Sequence, residues 1–290
     1  MANLRGGTYE KQVKNAFHRL AAFGEKRYGN DDHLTHSNGL AIKREMFLND
    51  FKTFVEKESF SAKLNQLMGN ETVMNHFFEE RLGKVSRSTA ENYLRGFSSM
   101  ITGLREKNVT ISETIDKAFF DTKVKWAKEH LPKTTKDEGR AIENSQKVIS
   151  DLYERNFVSG VIAEVLDTLG IRIAEAYALI SNPSLYIRDG EVIGLVGKGN
   201  HIYIPKTISA SLTDKITRVE KLPAENTFRR HLKMVTDGKH VPHDFRFTVA
   251  NRLFHQKLSE GIPYQQATKE VSIELNHSRE EMTHYYLSRA

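Results

Sequence analysis

The chain has 290 residues, 39% of them hydrophobic and 28% charged, enough to bury two cores of ordinary domain size. It contains no cysteine, which excludes disulfides, thiolate metal sites and cysteine nucleophiles, and no apolar run approaches the roughly 18 residues that a membrane span needs. A net charge of +6 leans toward polyanionic partners without deciding for them, because both halves are only mildly basic: 21 Lys and Arg against 17 acids in residues 1–130, and 22 against 20 beyond. The opening stretch MANLRGGTYEKQ lacks the apolar core of a secretory signal, so a cytoplasmic, nucleoid-associated protein is expected.

The first 130 residues read as helix throughout. Val13, Phe17, Leu20 and Phe23 recur at helical spacing before Gly24 and Gly29. Further helices are predicted near 40–58, 71–81, 87–107 and 112–130, with Ser86 or Ser88 capping the third of these. Residues 131–140, LPKTTKDEGR, are polar and charged, carry Pro132 and Gly139, and read as an exposed linker between a helical domain over 1–130 and a second domain over 141–290. No internal repeat or low-complexity tract is present.

Beyond the linker the pattern changes. Residues 144–180 read as two helices broken at Gly170. In SLYIRDGEVIGLVGKGNHIYIP, Asp189-Gly190 suits a tight hairpin turn and Gly197–Asn200 a second, which predicts a three-stranded antiparallel sheet. Helix returns in HDFRFTVANRLFHQKL, where Phe245, Val249 and Leu253 share a face, and in the closing ELNHSREEMTHYYLSRA. The expected class is mainly α with a small antiparallel β-sheet.

Several residues could carry chemistry, though each taken alone has an ordinary explanation. Arg172, two residues past Gly170, has Glu175 one turn on, which by itself reads as a surface ion pair. Lys198 in GKGN points to phosphate, but the P-loop spacing and its Ser or Thr are missing, so alone it reads as a solvated hairpin lysine. His243 and Arg246 are three apart and share a helix face, and His277 stands just before the closing helix, where it could cap, pack or coordinate. His240, His243, His255, His277 and His284 all lie in this half and raise metal binding, yet no acidic cluster or tight ligand spacing accompanies them, and neither metal nor cofactor is expected.

As an ordered set, GIRIAEAYAL, LVGKGNHIYIP, PHDFRFTVANRLF and LNHSREEMTHYY resemble the tyrosine recombinases, the phage integrase and Xer-like family, over residues 141–290. The resemblance implies a two-domain architecture: a helical core-binding domain, similar in size and position to residues 1–130, and a catalytic domain. It implies a site-specific recombinase that cleaves and rejoins double-stranded DNA. Tyr286 would attack the scissile phosphate to give a 3′-phosphotyrosyl bond, while Tyr285 packs. Arg172 and Arg246 would grip the non-bridging oxygens, with Glu175 orienting Arg172. Lys198 would protonate the departing 5′-oxygen, and His243 and His277 would bond the phosphate or assist proton transfer. Self-association to a tetramer on paired DNA sites and accessory DNA-bending or directionality proteins would follow. The alternatives are a topoisomerase-like or telomere-resolving enzyme with the same tyrosine chemistry, or a catalytically silent DNA-binding accessory protein.

Three features depart from the family pattern. Phe247 follows the second arginine where many members have histidine. Asn276 stands where glycine commonly precedes the histidine. Only four residues follow Tyr286, where many relatives continue into a helix that docks on a neighbouring subunit, so the free protein is expected to be a monomer that multimerises only on DNA.

Overall fold

The computed structural model describes residues 4–25, 33–132, 139–277 and 280–289, which divide into two compact units, Met1–Thr135 and Lys136–Ala290. The division falls in the stretch expected to be a linker, whose residues 133–138 lie outside the described ones, as does Gly29. Among the described residues no helix is long and apolar enough to cross a membrane.

Six helices are described in the first unit: α1 (Tyr9–Leu20), α2 (Asn38–Lys57), α3 (Leu64–Met68), α4 (Glu71–Leu82), α5 (Arg87–Glu106) and α6 (Lys117–His130). Five of them begin behind a polar cap. The side chains of Thr8, Ser37, Asn70, Ser86 and Asp116 each accept a first-turn backbone N–H that the helix itself leaves unsatisfied. Ser86, not Ser88, therefore starts α5, and Asp116 delays α6 to Lys117, five residues later than the periodicity predicts. The first helix is shorter than expected. It stops at Leu20, and the chain turns so that the Ala22 N–H donates to the Thr35 carbonyl, leaving Phe23 outside the helix and exposed. The core is aromatic, with Phe51 edge-on to Phe77 at 5.0 Å and to Phe97 at 6.0 Å. Among the described residues one charged side chain is buried in this unit: Arg44, 1% exposed, donates to the Thr35 hydroxyl at 2.8 Å, the His33 carbonyl at 2.5 Å and the Ser99 hydroxyl at 3.2 Å.

In the second unit the stretch expected as two helices is three: α7 (Ser145–Arg155), α8 (Phe157–Leu169) and α9 (Ile173–Ser181). Asn156 causes the extra break, because it closes α7 in an extended conformation and its side chain caps α8 by accepting the Ser159 N–H. Helix α8 is apolar nearly all round and packs against α7, α9 and the later α11 (Ala210–Thr217) and α13 (Asp244–Ser259), which makes it the centre of the unit. It ends at Gly170, whose φ of +63° suits glycine and whose place is too tight for a side chain. A Cβ there would come within 2.8 Å of Val249 and 2.9 Å of Leu275.

After α10 (Pro183–Tyr186) come β1 (Ile187–Arg188), β2 (Glu191–Val192) and β3 (Lys206–Thr207), antiparallel in the order β1-β2-β3. Asp189 and Gly190, both at positive φ, make the first turn. The second turn is a short 3₁₀ segment, Lys198–Asn200, reached through an antiparallel bridge between Val196 and Ile202. The third strand lies beyond that arm, further along the chain than the turn suggests. The unit closes with α12 (Glu225–Val235), α13, α14 (Tyr264–Glu274) and α15 (Glu281–Leu287). Phe245 and Val249 are buried and Leu253 partly so, and a small core of Phe247, Phe254, Val271 and Leu275 joins the last three helices.

Candidate active site

The sharp end of α8 delivers Arg172 to the N-cap of α9. Glu175, at the third helical position, accepts the Arg172 backbone N–H at 2.6 Å through one oxygen and the Arg172 guanidinium at 3.0 Å through the other. What reads in sequence as a surface ion pair is therefore an inward one, with the Glu175 side chain 7% exposed.

Arg246, one turn into α13, is 1% exposed. Its Nη1 donates to the Gly170 carbonyl at 2.5 Å and the Tyr203 hydroxyl at 3.1 Å, and its Nη2 to the Leu275 carbonyl. Its Nε is buried and has no partner among the described residues. The Tyr203 hydroxyl in turn donates to Glu175 at 2.7 Å and accepts from Arg172 at 3.4 Å, so one phenol links both arginines. Burial, the largest cause, pushes the Tyr203 hydroxyl up to about 12, which keeps it protonated and able to donate.

His243 precedes α13 without capping it, and its ring turns to the C-terminal helix, where Nε2 lies 2.7 Å from the Tyr286 hydroxyl. The Tyr286 ring is held by Phe247 at 4.4 Å between centroids and by a stacked His277 at 4.9 Å. Tyr286 is 2% exposed and Tyr285 is 36% exposed, which corrects the expectation that Tyr285 is the packed one. The buried face of α15 carries Thr283 and Tyr286, three apart, so Tyr285 lies beside that face, with its ring 5.9 Å from that of Phe247 and 4.4 Å from the Arg289 guanidinium.

The buried Phe247 ring meets several of these groups. It packs against Tyr286, and the Arg140 guanidinium lies 4.1 Å from its ring centroid. Arg140 also pairs with Asp244 at 2.6 Å, and its backbone N–H donates to the Arg289 carbonyl at 3.0 Å. Expected in the exposed linker, Arg140 is instead anchored in the second unit with its side chain 15% exposed.

Both histidines are held neutral. Burial first, then the charges of Arg246, Arg140 and Arg172, lower His243 to about 4 against a smaller opposing pull from Asp244. Burial, Arg246 and Arg172 lower His277 to about 3. His277 Nδ1 shares a hydrogen bond with the Thr283 hydroxyl at 3.1 Å, while its buried Nε2 has no partner among the described residues.

Arg172, Glu175, His243, Arg246, His277 and Tyr286 thus form one cluster, and Lys198 stands apart from it. It is exposed at the tip of the second hairpin, and no ion pair or side-chain hydrogen bond is described for it. Two further residues belong to the surroundings although no motif marks them: Tyr203, and Lys206 on β3. Lys206 is 9% exposed and bonds Glu274 at 3.0 Å; burial lowers its pKa while Glu274 opposes the shift. Among the described residues, the one group of histidine and acidic side chains close enough to share an ion is Glu58, His76 and Glu80 in the first unit, where Lys57 already pairs with both carboxylates. The second-unit cluster instead offers two guanidiniums, two neutral imidazoles and a phenol, a set able to neutralise a phosphodiester and present a nucleophile to it.

No protein-family model and no curated protein matches the chain. Solved structures do. A lambda integrase dimer bound to a COC' core site is 14% identical with a TM-score of 0.58, over 87% of this chain and 72% of that one. The XerH site-specific recombinase bound to difH substrate, a pre-cleavage complex, is 12% identical with a TM-score of 0.54, over 86% and 76%. The Tn1549 transposon integrase with circular intermediate DNA is 14% identical with a TM-score of 0.55, over 97% and 94%. The chain has the mainly α, two-domain fold of the tyrosine recombinases.

Proposed function

We propose that this protein is a site-specific DNA recombinase that cuts and rejoins strands through Tyr286. The observation that carries the reading is the 2.7 Å contact between the Tyr286 hydroxyl and the neutral His243, in the same cluster as two arginines linked by Tyr203. Arg172 and Arg246 hold the non-bridging oxygens of the scissile phosphate and stabilise the charge that builds on them. The Tyr286 oxygen attacks phosphorus and passes its proton to His243 Nε2, while Lys198 gives a proton to the departing 5′-oxygen. The P–O5′ bond breaks as the phosphotyrosyl bond forms, and the 5′-hydroxyl of a second strand reverses the exchange without ATP. His277, with Nε2 unpartnered, supplies a further hydrogen bond to the phosphate. Glu175 and Tyr203 fix the arginines before DNA arrives, so the site spends no binding energy ordering them. The first unit serves as a helical clamp on duplex DNA, and subunits assemble on paired sites.

The test starts from a pool of nicked duplexes of randomised sequence, incubated with the protein in excess EDTA. Covalent adducts are recovered and the attached ends sequenced, and the enriched site is then offered on two separate duplexes. Adducts linked to 3′ ends, formed in EDTA, and joined products drawing one strand from each duplex are expected. Loss of cleavage on chelation with restoration by magnesium would reject the mechanism, because two arginines and a lysine supply the charge that two cations give a metal nuclease. Adducts that reseal only within one duplex would favour the topoisomerase-like reading, and no adduct at all a silent DNA-binding protein.

A further inference from the structure

Asn276 departs from the family's glycine at a backbone position that favours glycine, with φ at +52°. The end of α14 does not need its side chain. The Asn276 N–H donates to the Ile273 carbonyl and the His277 N–H to the Ser272 carbonyl, both at 2.9 Å, which closes the helix through backbone alone. The amide is thereby left for another partner, and Nδ2 donates at 2.9 Å to the carbonyl of His201. That carbonyl lies on the Lys198 hairpin, where it also accepts the Gly197 N–H at 2.8 Å across the turn.

The hairpin is seated closely at this point. A Cβ on Gly197 would lie 2.9 Å from Asn276 Nδ2, 2.9 Å from the Tyr203 ring and 3.2 Å from the Glu175 carboxylate, the residue that holds Arg172. The backbone next to Lys198 therefore rests on the arginine-bearing cluster, while the lysine side chain stays exposed. We propose that Asn276 is a positioning residue: its amide latches the hairpin against the cluster and so places the Lys198 ammonium for the leaving 5′-oxygen. A glycine here would keep the backbone and lose the latch. The inference rests on the reading of Lys198 as the general acid.

The experiment compares single-turnover cleavage of the selected nicked duplex with that of the same duplex carrying sulfur at the bridging 5′ position, whose thiolate departs without a proton. Asn276→Gly preserves the left-handed backbone, and Asn276→Asp preserves the shape without the N–H donor. Both are expected to cut the oxygen substrate about 10-fold more slowly, the scale of one preorganising hydrogen bond. Lys198→Ala should fall about 10²- to 10⁴-fold on that substrate. On the sulfur substrate all three should approach the unmodified protein, while Arg172→Ala stays impaired on both. If sulfur rescues Lys198→Ala but leaves Asn276→Gly as slow as on oxygen, or if Asn276→Gly is not slowed at all, the latch is overturned and the reading of Lys198 stands. If sulfur fails to rescue Lys198→Ala, the acid assignment falls and the latch with it.

Discussion

Among the described residues each unit buries one arginine almost completely, Arg44 in the first and Arg246 in the second, and the surroundings of the two differ. Arg44 sits among hydroxyls and a carbonyl, in a unit whose core is rich in phenylalanine. Arg246 sits against two carbonyls and a tyrosine shared with a second arginine, beside two histidines whose pKa values it helps to depress, one of which, His277, has a buried Nε2 with no partner among the described residues. A buried cation is thus not in itself a functional mark. The mark is a buried cation that perturbs titratable neighbours, as Arg246 does His243 and His277.

Replacing the two arginines in turn tests that contrast most strongly. Arg246→Met should reduce adduct formation by roughly 10²- to 10³-fold, the scale seen when a preorganised charge-stabilising donor is removed. It should also let His243 and His277 titrate nearer the ordinary histidine range, which nuclear magnetic resonance of the ring protons would follow. Arg44→Met should lower unfolding stability by about 1–3 kcal/mol while leaving the cleavage rate per folded molecule unchanged. The contrast breaks if Arg44→Met loses cleavage as Arg246→Met does.

A smaller effect concerns acid. With His243 held at about 4 and His277 at about 3, against 6.5 in the unfolded chain, the unfolded state binds more protons across that interval. Stability from this source is complete above pH 6.5 and is lost as the pH falls toward 4. For His243 the share is on the order of 3 kcal/mol before coupling between the two rings is allowed for. His243→Gln should therefore flatten the decline of unfolding free energy between pH 6.5 and 4, as measured by urea titration. An unchanged slope would show that His243 is not held neutral by its surroundings.

The helices of both units were legible because they bury one stripe of apolar residues at regular spacing, and their caps explain where periodicity overran, as at Asp116 and Asn156. Gly170 and Asp189-Gly190 were legible because their backbone conformations restrict the residue type. The candidate cluster was legible only as an ordered motif. Residues outside the motif were not, since their roles come from partners far away in sequence: Tyr203 with Arg246, Lys206 with Glu274, and Arg140 with Asp244. A tyrosine in IYI or an arginine after a glycine carries no local trace of such a contact. The two adjacent tyrosines show the same limit. Their exposure is decided by which face of α15 meets Phe247 and His277, and that depends on where α13 and α14 lie.

The nucleophile is the central claim, and mapping the covalent bond tests it most directly. With the selected nicked duplex, Tyr286→Phe should form no protein–DNA adduct and Tyr285→Phe should retain most of it. Mass spectrometry of the unmodified adduct should find the nucleotide on Tyr286. An adduct that survives Tyr286→Phe, or one attached at Tyr285, would contradict the account, because the buried phenol bonded to His243 would then not be the one that attacks.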